Sequence, residues 1–300
     1  MPSSLPVLGF LGLGLMGQPL SQRLLEAGFQ LHVWNRTPSK ADRLVNLGAH
    51  QATSPAAVAR QAEIICLCVT DTQSVESLLH QPEGLLEALK PNQLLVDFSS
   101  IAPKATRQFA ELVRQRGADW VDAPVSGGVQ GAESGQLAIM CGGHSASLKR
   151  LAPVFEPLAR QVTHLGEVGS GQVAKIGNQM LVSCNALVIA EMMALAEASG
   201  LDTQQITRAF AGGFADSLPL QLIAPRIANK DFANPKWTVK TLLKDLELAA
   251  DLATEYQQAL PLSSLAKQLM RMHITQGRSE EDPASLVELY QQTHNDPNQE

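Results

Sequence analysis

Short apolar runs and stretches with helical spacing alternate along the first part of the chain. Val7 to Leu11 form an unbroken apolar run, and Leu31 to Trp34 form a second short run rich in β-favouring residues. Between them, leucine and alanine recur at helical spacing from Leu20 until Gly28. This order predicts a strand, a helix ended by a glycine, and a second strand.

The same alternation continues to about residue 165. Further strands are predicted at Ile64 to Val69, Leu94 to Phe98 and Gln136 to Cys141, and helical segments lie between them. Strands that alternate with helices in this way predict an α/β fold with a Rossmann-type, doubly wound parallel sheet. We assign residues 1–165 to this first domain.

Beyond residue 168 the strand signals end. A long helix is predicted over about 171–199, and five further helical segments follow it, the last after the N-cap pair Asp282 and Pro283. We therefore expect residues 166–300 to form an all-helical domain. The long helix is apolar on every side, which is typical of a spine between two domains or of a subunit interface. We expect a homodimer or homotetramer.

Composition excludes some partners. The formal charge of −6 and a pI near 5.7 leave no basic surface for nucleic acid. The first residues lack the basic start of a signal peptide, and the most apolar stretch, Met180 to Ala190, is interrupted by Ser183 and Asn185. We expect a cytoplasmic protein with no membrane partner.

Four cysteines are present. Cys66 and Cys68 lie two residues apart, so on a strand they share one face, and a disulfide between them would be strained. We expect them to be buried and reduced. Since no cysteine or histidine spacing matches a zinc site, we predict no bound metal.

A glycine-rich turn follows the first strand. Gly12, Gly14 and Gly17 have the G-x-G-x-x-G spacing that opens a helix beneath a dinucleotide pyrophosphate. The glycines allow a tight turn, close approach of the backbone to phosphate, and close packing of the helix on the strand. The turn predicts a cofactor site that includes the intervening residues Leu13, Leu15 and Met16.

The end of the second strand discriminates between cofactors. A carboxylate there would bind the ribose of NAD, whereas this chain has Asn35, Arg36 and Thr37. A guanidinium beside two small polar side chains suits the 2′-phosphate of NADP. We predict that NADP is preferred, with NAD as the second choice. The alternative is an ordinary surface arginine before Pro38.

Polar residues also follow the later strands, where ligands bind in α/β sheets. Val69 and Thr70 follow one strand, and Ser100 follows the next. After Asp122 comes a segment in which Ser126, Gly127 and Gly128 offer a hydroxyl and open backbone N–H groups. This group predicts a concavity for a carboxylate, and the alternative is a flexible turn.

Lys175 is the outstanding residue of the second half, because it lies near the start of the apolar helix. Asn178 and Gln179 follow at positions that share its face. A buried lysine whose pKa is lowered from ~10.4 toward ~7 to 8 could exchange a proton with a substrate oxygen. The alternative is a lysine whose stem lies along apolar surface and whose charge reaches water.

Four motifs in this order resemble the β-hydroxyacid dehydrogenase family over nearly the whole chain. They are Gly-Leu-Gly-Leu-Met-Gly at 12–17, Asp-Ala-Pro-Val-Ser-Gly-Gly at 122–128, Gly-Ser-Gly-Gln-Val-Ala-Lys at 169–175 and Leu-Leu-Lys-Asp-Leu at 242–246. Asn-Arg-Thr at 35–37 is similar to the NADPH-using branch. The family includes 3-hydroxyisobutyrate dehydrogenases, tartronate semialdehyde reductases, and reductases of glyoxylate or of succinic semialdehyde.

The resemblance implies roles for individual residues. Lys175 would be the general acid and base, and Ser126, Gly127 and Gly128 would bind the substrate carboxylate. Most relatives have Thr at Ser100 and Phe at Trp237, and many have Asn at Gln179, so either Asn178 or Gln179 would hold the substrate. The remaining implied contacts are Val69, Thr70, Ser100 and Lys244 for the cofactor, and Trp237 and Asp245 at the substrate.

The sequence therefore predicts an NADP(H)-dependent oxidoreductase that interconverts a small β-hydroxyacid and its semialdehyde or oxo acid. Two alternatives stay open. An imine reductase resembles the family in fold and cofactor but usually lacks lysine at the catalytic position. A non-catalytic NADP-binding module would bind the cofactor without turnover.

Overall fold

A computed structural model describes residues 5–233, 235 and 237–291. The chain divides into two units, Met1–Lys175 and Ile176–Glu300. The sequence-based boundary at residues 165 and 166 lies shortly before this division. The long helix begins at Ser170, between the predicted boundary and the observed one. Its first residues, up to Lys175, therefore belong to the first unit.

Six strands of the first unit form one parallel sheet. They are β1 (Leu8–Leu11), β2 (Leu31–Trp34), β3 (His50–Gln51), β4 (Ile64–Leu67), β5 (Leu94–Asp97) and β6 (Asp119–Asp122). Their order is β3-β2-β1-β4-β5-β6, and every neighbouring pair is parallel. The order reverses between β1 and β4, which is the position where open α/β sheets bind ligands.

Seven α-helices of this unit are α1 (Gly17–Glu26), α2 (Asp42–Asn46), α3 (Pro55–Gln61), α4 (Thr72–His80), α5 (Pro103–Arg114), α6 (Gly128–Ser134) and α7 (Ser145–Phe155). Short 3-10 helices occupy Pro38–Ala41 and Leu85–Glu87.

Both faces of the large sheet are covered by helices. In β4, Ile64 and Cys66 belong to one hydrophobic cluster, whereas Ile65 and Leu67 belong to another. Helices α1 and α7 contribute to the first cluster, and α3, α4 and α5 contribute to the second. Burial on both faces explains why the strands are continuous apolar runs, and the doubly wound fold is confirmed.

The expectation that this sheet continues to residue 165 needs correction. Strands β7 (Val125–Ser126), β8 (Leu137–Cys141) and β9 (Ala159–His164) form a separate sheet, with β7 antiparallel and β9 parallel to β8. The connection from β7 to β8 is shorter than the dozen or more residues that a parallel crossover requires. The chain therefore returns in the opposite direction and leaves the large sheet at Asp122.

The four cysteines are free, and Cys66 and Cys141 are buried. Burial raises the pKa of the Cys66 thiol well above its usual range, because the thiolate would lose its hydration. Cys68 is half-buried rather than buried, which differs in degree from the expectation. Reactive thiolate chemistry is therefore disfavoured at Cys66.

The long helix, α8, extends over Ser170–Ala198. By length and composition alone it could cross a membrane, and 39% of its most apolar window is buried within the chain. The core helix of a protein outside any membrane passes the same test, so this is weak evidence for a span. Its exposed apolar residues include Leu181, Val188 and Leu195, which are spaced seven positions apart, and Val173 nearer its start.

Within the described residues, every regular element of the second unit is a helix, as predicted. Its other α-helices are α9 (Ile206–Phe210), α10 (Leu218–Ala228), α11 (Val239–Glu255) and α12 (Pro261–Thr275), with 3-10 helices at Thr203–Gln205 and Pro283–Leu289. Asp282 caps the last of these by accepting a hydrogen bond from the N–H of Ala284, as its sequence predicted. Leu246 and Met270 lie in the core of this unit.

Candidate active site

The glycine-rich turn lies at the carboxyl end of β1, beside the loop that follows β4. The Leu11 carbonyl accepts a hydrogen bond from the N–H of Cys68 at 2.9 Å, which continues the pairing of the two strands. Gly12 has φ +96°, and a Cβ there would overlap the carbonyl oxygen of Cys68. The turn is therefore located at the point where the strand order reverses.

The three fingerprint glycines are required for different reasons. A Cβ at Gly17 would overlap the carbonyl oxygen of Gly12, so both of these glycines are required by the protein's own packing. A Cβ at Gly14 would meet no described atom within 4 Å. Packing therefore does not explain Gly14, and in the fingerprint the second glycine is the one that allows a pyrophosphate to approach the backbone.

Asn35 fastens this turn to the end of β2. Its Oδ1 accepts a hydrogen bond from the Leu13 N–H at 2.9 Å, and its Nδ2 donates to the Thr37 carbonyl at 2.9 Å. Arg36 and Thr37 are exposed, and Arg36 has no hydrogen bond or ion pair with another described residue. Asn35 thus positions the turn, while Arg36 is accessible to an anionic group.

The loops that follow β4 and β5 are joined to each other. The Val69 N–H donates to the Ser99 hydroxyl at 3.0 Å, and the Ser99 N–H donates to Oδ1 of Asp97 at 2.9 Å. Thr70 is exposed and Ser100 is half-buried, while Ser99 is buried. Of the two adjacent serines, Ser99 maintains the loop structure.

Two buried carboxyl groups end neighbouring strands of the sheet. The pKa of Asp97 is raised to about 7: burial is the largest cause, hydrogen bonds from Ser99 oppose it, and the negative charge of Asp122 adds to it. Burial likewise raises the pKa of Asp122 to about 6, against hydrogen bonds from backbone N–H groups that favour the carboxylate. In both groups the loss of hydration on burial is the largest cause of the raised pKa.

Asp122 caps the beginning of α8, the helix that carries Lys175. Its Oδ1 accepts from the Gly169 N–H at 2.7 Å, and its Oδ2 accepts from the Gln172 N–H at 2.9 Å. These N–H groups belong to the first turn of a helix, where a carboxylate is favourable. Lys175 is half-buried, which is less burial than its place on the apolar helix predicted. Its place near the helix start leaves it partly exposed.

The predicted carboxylate-binding segment comprises the end of β7 and the beginning of α6. Ser126 is half-buried, and Gly127 and Gly128 are exposed. Gly127 has φ +133° and Gly128 has φ +63°, so both adopt backbone conformations that favour glycine. A Cβ at Gly128 would meet no described atom within 4 Å. The segment is a tight turn from strand to helix.

In the second unit, four of the predicted polar residues form one chain of contacts. Asn178 donates to Oε1 of Gln179 at 2.9 Å, and Gln179 in turn donates to Oδ2 of Asp245. Lys244 forms an ion pair with Oδ1 of the same carboxylate at 3.1 Å. Trp237 is half-buried, and its indole nitrogen has no hydrogen-bond partner among the described residues. Asp245 therefore orients both Gln179 and Lys244.

The described residues contain no group of three or more His, Cys, Asp or Glu side chains that could hold a metal ion.

Two family models together match almost the whole chain. Residues 7–166 match the NAD binding domain of 6-phosphogluconate dehydrogenase, and residues 169–290 match the NAD-binding model of NADP-dependent 3-hydroxyisobutyrate dehydrogenase. The chain belongs to the β-hydroxyacid dehydrogenase family. The family resemblance inferred from the four motifs is confirmed.

Individual relatives agree with this assignment. The chain is 38% identical to 2-hydroxy-3-oxopropionate reductase of Escherichia coli, over 94% of this chain and 96% of that protein. The structure of Mycobacterium tuberculosis 3-hydroxyisobutyrate dehydrogenase with L-serine is 29% identical, has a TM-score of 0.87, and covers 96% of this chain and 100% of that chain. The structure of Psf3 in complex with NADP+ and 2-OPP is 30% identical and has a TM-score of 0.88. The match covers 95% of this chain and 100% of that chain.

Membership in the β-hydroxyacid dehydrogenase family makes this chain an NAD(P)-dependent oxidoreductase of the dehydrogenase or reductase type. Sequence reasoning did not identify Asp122 as the helix cap, Ser99 as the link between loops, or Asn35 as a residue that positions the turn. An N-cap signal is visible in a sequence only when the capping Asp directly precedes the helix. Asp122 is 47 residues away from Gly169, so no local pattern indicates that it caps α8.

The fingerprint glycines allow a paired test in this β-hydroxyacid dehydrogenase. Gly12→Ala should lower the free energy of unfolding of the cofactor-free protein by about 1–3 kcal/mol, because it forces a strained backbone against Cys68. Gly14→Ala should leave that stability within about 1 kcal/mol of wild type. It should weaken NADPH binding by ~10-fold or more, because the methyl group would occupy space that the pyrophosphate needs.

Urea denaturation and fluorescence titration with NADPH measure the two effects separately. Unchanged NADPH affinity in the Gly14→Ala variant would show that the pyrophosphate does not approach this residue.

Proposed function

We propose that this chain is an NADP(H)-dependent oxidoreductase that interconverts a small β-hydroxyacid and its semialdehyde or oxo acid, with Lys175 as general acid and base. The observation that carries the proposal is the anchoring of the Lys175 helix by Asp122, at the carboxyl edge that also bears the glycine-rich turn. The E. coli relative at 38% identity is named for reduction of a small oxo acid, which supports the substrate class.

The glycine-rich turn and Arg36 fit a dinucleotide with a 2′-phosphate. Gly14 leaves open space above the backbone, and the exposed guanidinium of Arg36 is available to bind an anion. Val69, Thr70, Ser100 and Lys244 are proposed as further cofactor contacts on the basis of the family resemblance. Bound NADPH would supply the hydride, which is the difficult part of the reaction.

Lys175 would transfer the proton. In reduction, the Nζ group donates a proton to the carbonyl oxygen of the substrate as that oxygen gains negative charge, and in oxidation it accepts the hydroxyl proton. A hydride and a proton together convert the carbonyl to the alcohol, so the reaction is balanced. The ammonium near the start of α8 also favours an anionic substrate.

The substrate carboxylate would be bound by the Ser126 hydroxyl and the backbone N–H groups of Gly127 and Gly128. Support comes from the positive φ angles at both glycines and from the open space above Gly128. In the second unit, the amide of Gln179 already bridges Asn178 and Asp245. We therefore propose Asn178 as the substrate contact and Gln179 as the side chain that orients it, while Trp237 lines the substrate.

Two alternatives make different predictions about turnover. An imine reductase would reduce cyclic imines, and a non-catalytic module would bind NADPH without consuming it on any small carboxylate. A screen of NADPH consumption with glyoxylate, succinic semialdehyde, tartronate semialdehyde and methylmalonate semialdehyde, beside a panel of cyclic imines, separates the three functions. We expect turnover with one of the semialdehydes or oxo acids.

We further propose a cytoplasmic homodimer or homotetramer. Leu181 and Leu195 are each 69% exposed on α8, and Val188 lies between them on the same stripe. A second copy of the chain would cover this apolar stripe. Light scattering measures the molar mass in solution, and we expect that of a dimer or a tetramer.

Lys175→Met should lower kcat by ~10²- to 10⁴-fold while NADPH still binds, because the variant lacks the proton donor but keeps the cofactor contacts. Lys175→Arg should be equally impaired, since arginine keeps the charge but does not release its proton. Lys149→Met, an exposed lysine on α7, is the matched control and should keep wild-type turnover. Full activity of Lys175→Met would remove this residue from the mechanism.

Arg36→Asp should raise the KM for NADPH by ~10-fold or more, because a charge-assisted pair with the 2′-phosphate is replaced by repulsion. The KM for NADH should change much less. Arg116→Asp carries the same charge change at an exposed position and serves as the control. Initial rates with both cofactors give the ratio, and an unchanged preference for NADPH over NADH would contradict the assignment of Arg36.

A further inference from the structure

Gln172 is a fully buried polar side chain, and the reaction proposed above does not use it directly. Its exposed fraction is 0%, and it lies in the first turn of α8. Its Oε1 accepts from the Ile101 N–H at 3.1 Å, and its Nε2 donates to the Ser99 carbonyl at 2.9 Å. One amide group therefore binds the two residues on either side of Ser100.

These contacts belong to a continuous chain of hydrogen bonds within the first unit. The Val69 N–H donates to the Ser99 hydroxyl, Gln172 bonds to the Ser99 carbonyl, and the Gln172 N–H donates to Asp122. The chain begins at the loop after β4, passes through the loop after β5, and reaches the start of α8. It ends three residues before Lys175.

We propose that Gln172 and Asp122 are positioning residues that set Lys175 relative to the loops after β4 and β5. This inference rests on the function proposed above, in which Lys175 transfers the proton and Val69 and Ser100 contact the cofactor. Neither Gln172 nor Asp122 needs to touch the reacting atoms.

The geometry supports a positioning role because Gln172 belongs to the helix that carries Lys175 and its side chain binds the loop after β5. Lys175 follows Gln172 by three residues, so the two share one face of α8. A displacement of the loop relative to the helix would separate the proton donor from the carbon that receives the hydride. Misplacement of about 1 Å between reacting groups can lower the rate by ~10²-fold.

A buried glutamine elsewhere in the same unit provides a matched comparison. Gln93 is 5% exposed and lies just before β5, at the opposite end of that strand from Ser99. Its Nε2 donates to the carbonyl oxygens of Ala59 and Ala62, both at 2.6 Å, and its Oε1 accepts from the Lys90 N–H at 2.6 Å. It bridges backbone groups as Gln172 does, but at the opposite sheet edge from the proposed site.

The test compares Gln172→Met with Gln93→Met in the full chain. Methionine keeps the side-chain length and removes the hydrogen bonds, so both variants should lose thermal stability. Only Gln172→Met should lower kcat, by ~10- to 100-fold. With NADPH deuterated at the transferred hydrogen, its isotope effect on kcat should rise above that of wild type, because hydride transfer becomes slower than the other steps.

Two further measurements separate positioning from loss of folded protein. Amide hydrogen exchange in the cofactor-free variant should accelerate at Ile101 in Gln172→Met and stay unchanged there in Gln93→Met. In a double-mutant cycle, Gln172→Met should cause little further loss when Lys175 is already Met, because the residue acts through the lysine. If Gln172→Met does not fold, Asp122→Asn takes its place. This variant keeps only one of the two oxygens that accept from the Gly169 and Gln172 N–H groups, and its kcat and isotope effect are judged in the same way.

The outcomes distinguish this inference from the function on which it rests. A fully active Lys175→Met variant overturns the proposed role of the lysine. An inactive Lys175→Met variant beside a Gln172→Met variant with wild-type kcat and isotope effect overturns the positioning role alone. Equal changes in Gln172→Met and Gln93→Met, or additive losses in the cycle, also overturn it, because they indicate a general effect on stability.

Discussion

The start of α8 is fastened to the sheet by one buried carboxylate. Asp122 ends β6 and accepts hydrogen bonds from the N–H groups of Gly169 and Gln172, so the helix begins where the sheet ends. A buried carboxylate is costly to desolvate, and those N–H groups compensate for part of that cost. Because Lys175 lies in the second turn of this helix, its place follows from the position of Asp122.

The polar edge and the apolar core respond differently to sequence change. In an apolar core such as the one between this sheet and its helices, exchange of one aliphatic residue for another of similar volume generally costs less than about 1.5 kcal/mol. At the edge, by contrast, Ser99, Gln172 and Asp122 each pair with specific backbone groups, and removal of one leaves a buried group unsatisfied. The arrangement of the proposed site is thus constrained by hydrogen bonds, while the sheet that supports it is held by apolar packing.

Sequence patterns predicted the large elements because those elements bury regular faces. The strands of the large sheet are mostly continuous apolar runs because both of their faces are buried, whereas the helices of the second unit bury residues at helical spacing. The separate small sheet was missed because β9 is largely polar and exposed, and because β7 has only two residues. The last predicted helix is a 3-10 helix at Pro283–Leu289, a distinction that periodicity over one or two turns does not make.

The sequence by itself determined the doubly wound class, the glycine turn and the family, because each depends on residues close together in the chain or on motifs in fixed order. Only the tertiary structure decided that Gly14 faces open space while Gly12 and Gly17 are packed. It also assigned Asn35 to the turn and Gln172 to the loop around Ser100. These contacts join residues 22 and 71 positions apart, and no local pattern encodes which distant backbone group a polar side chain will meet.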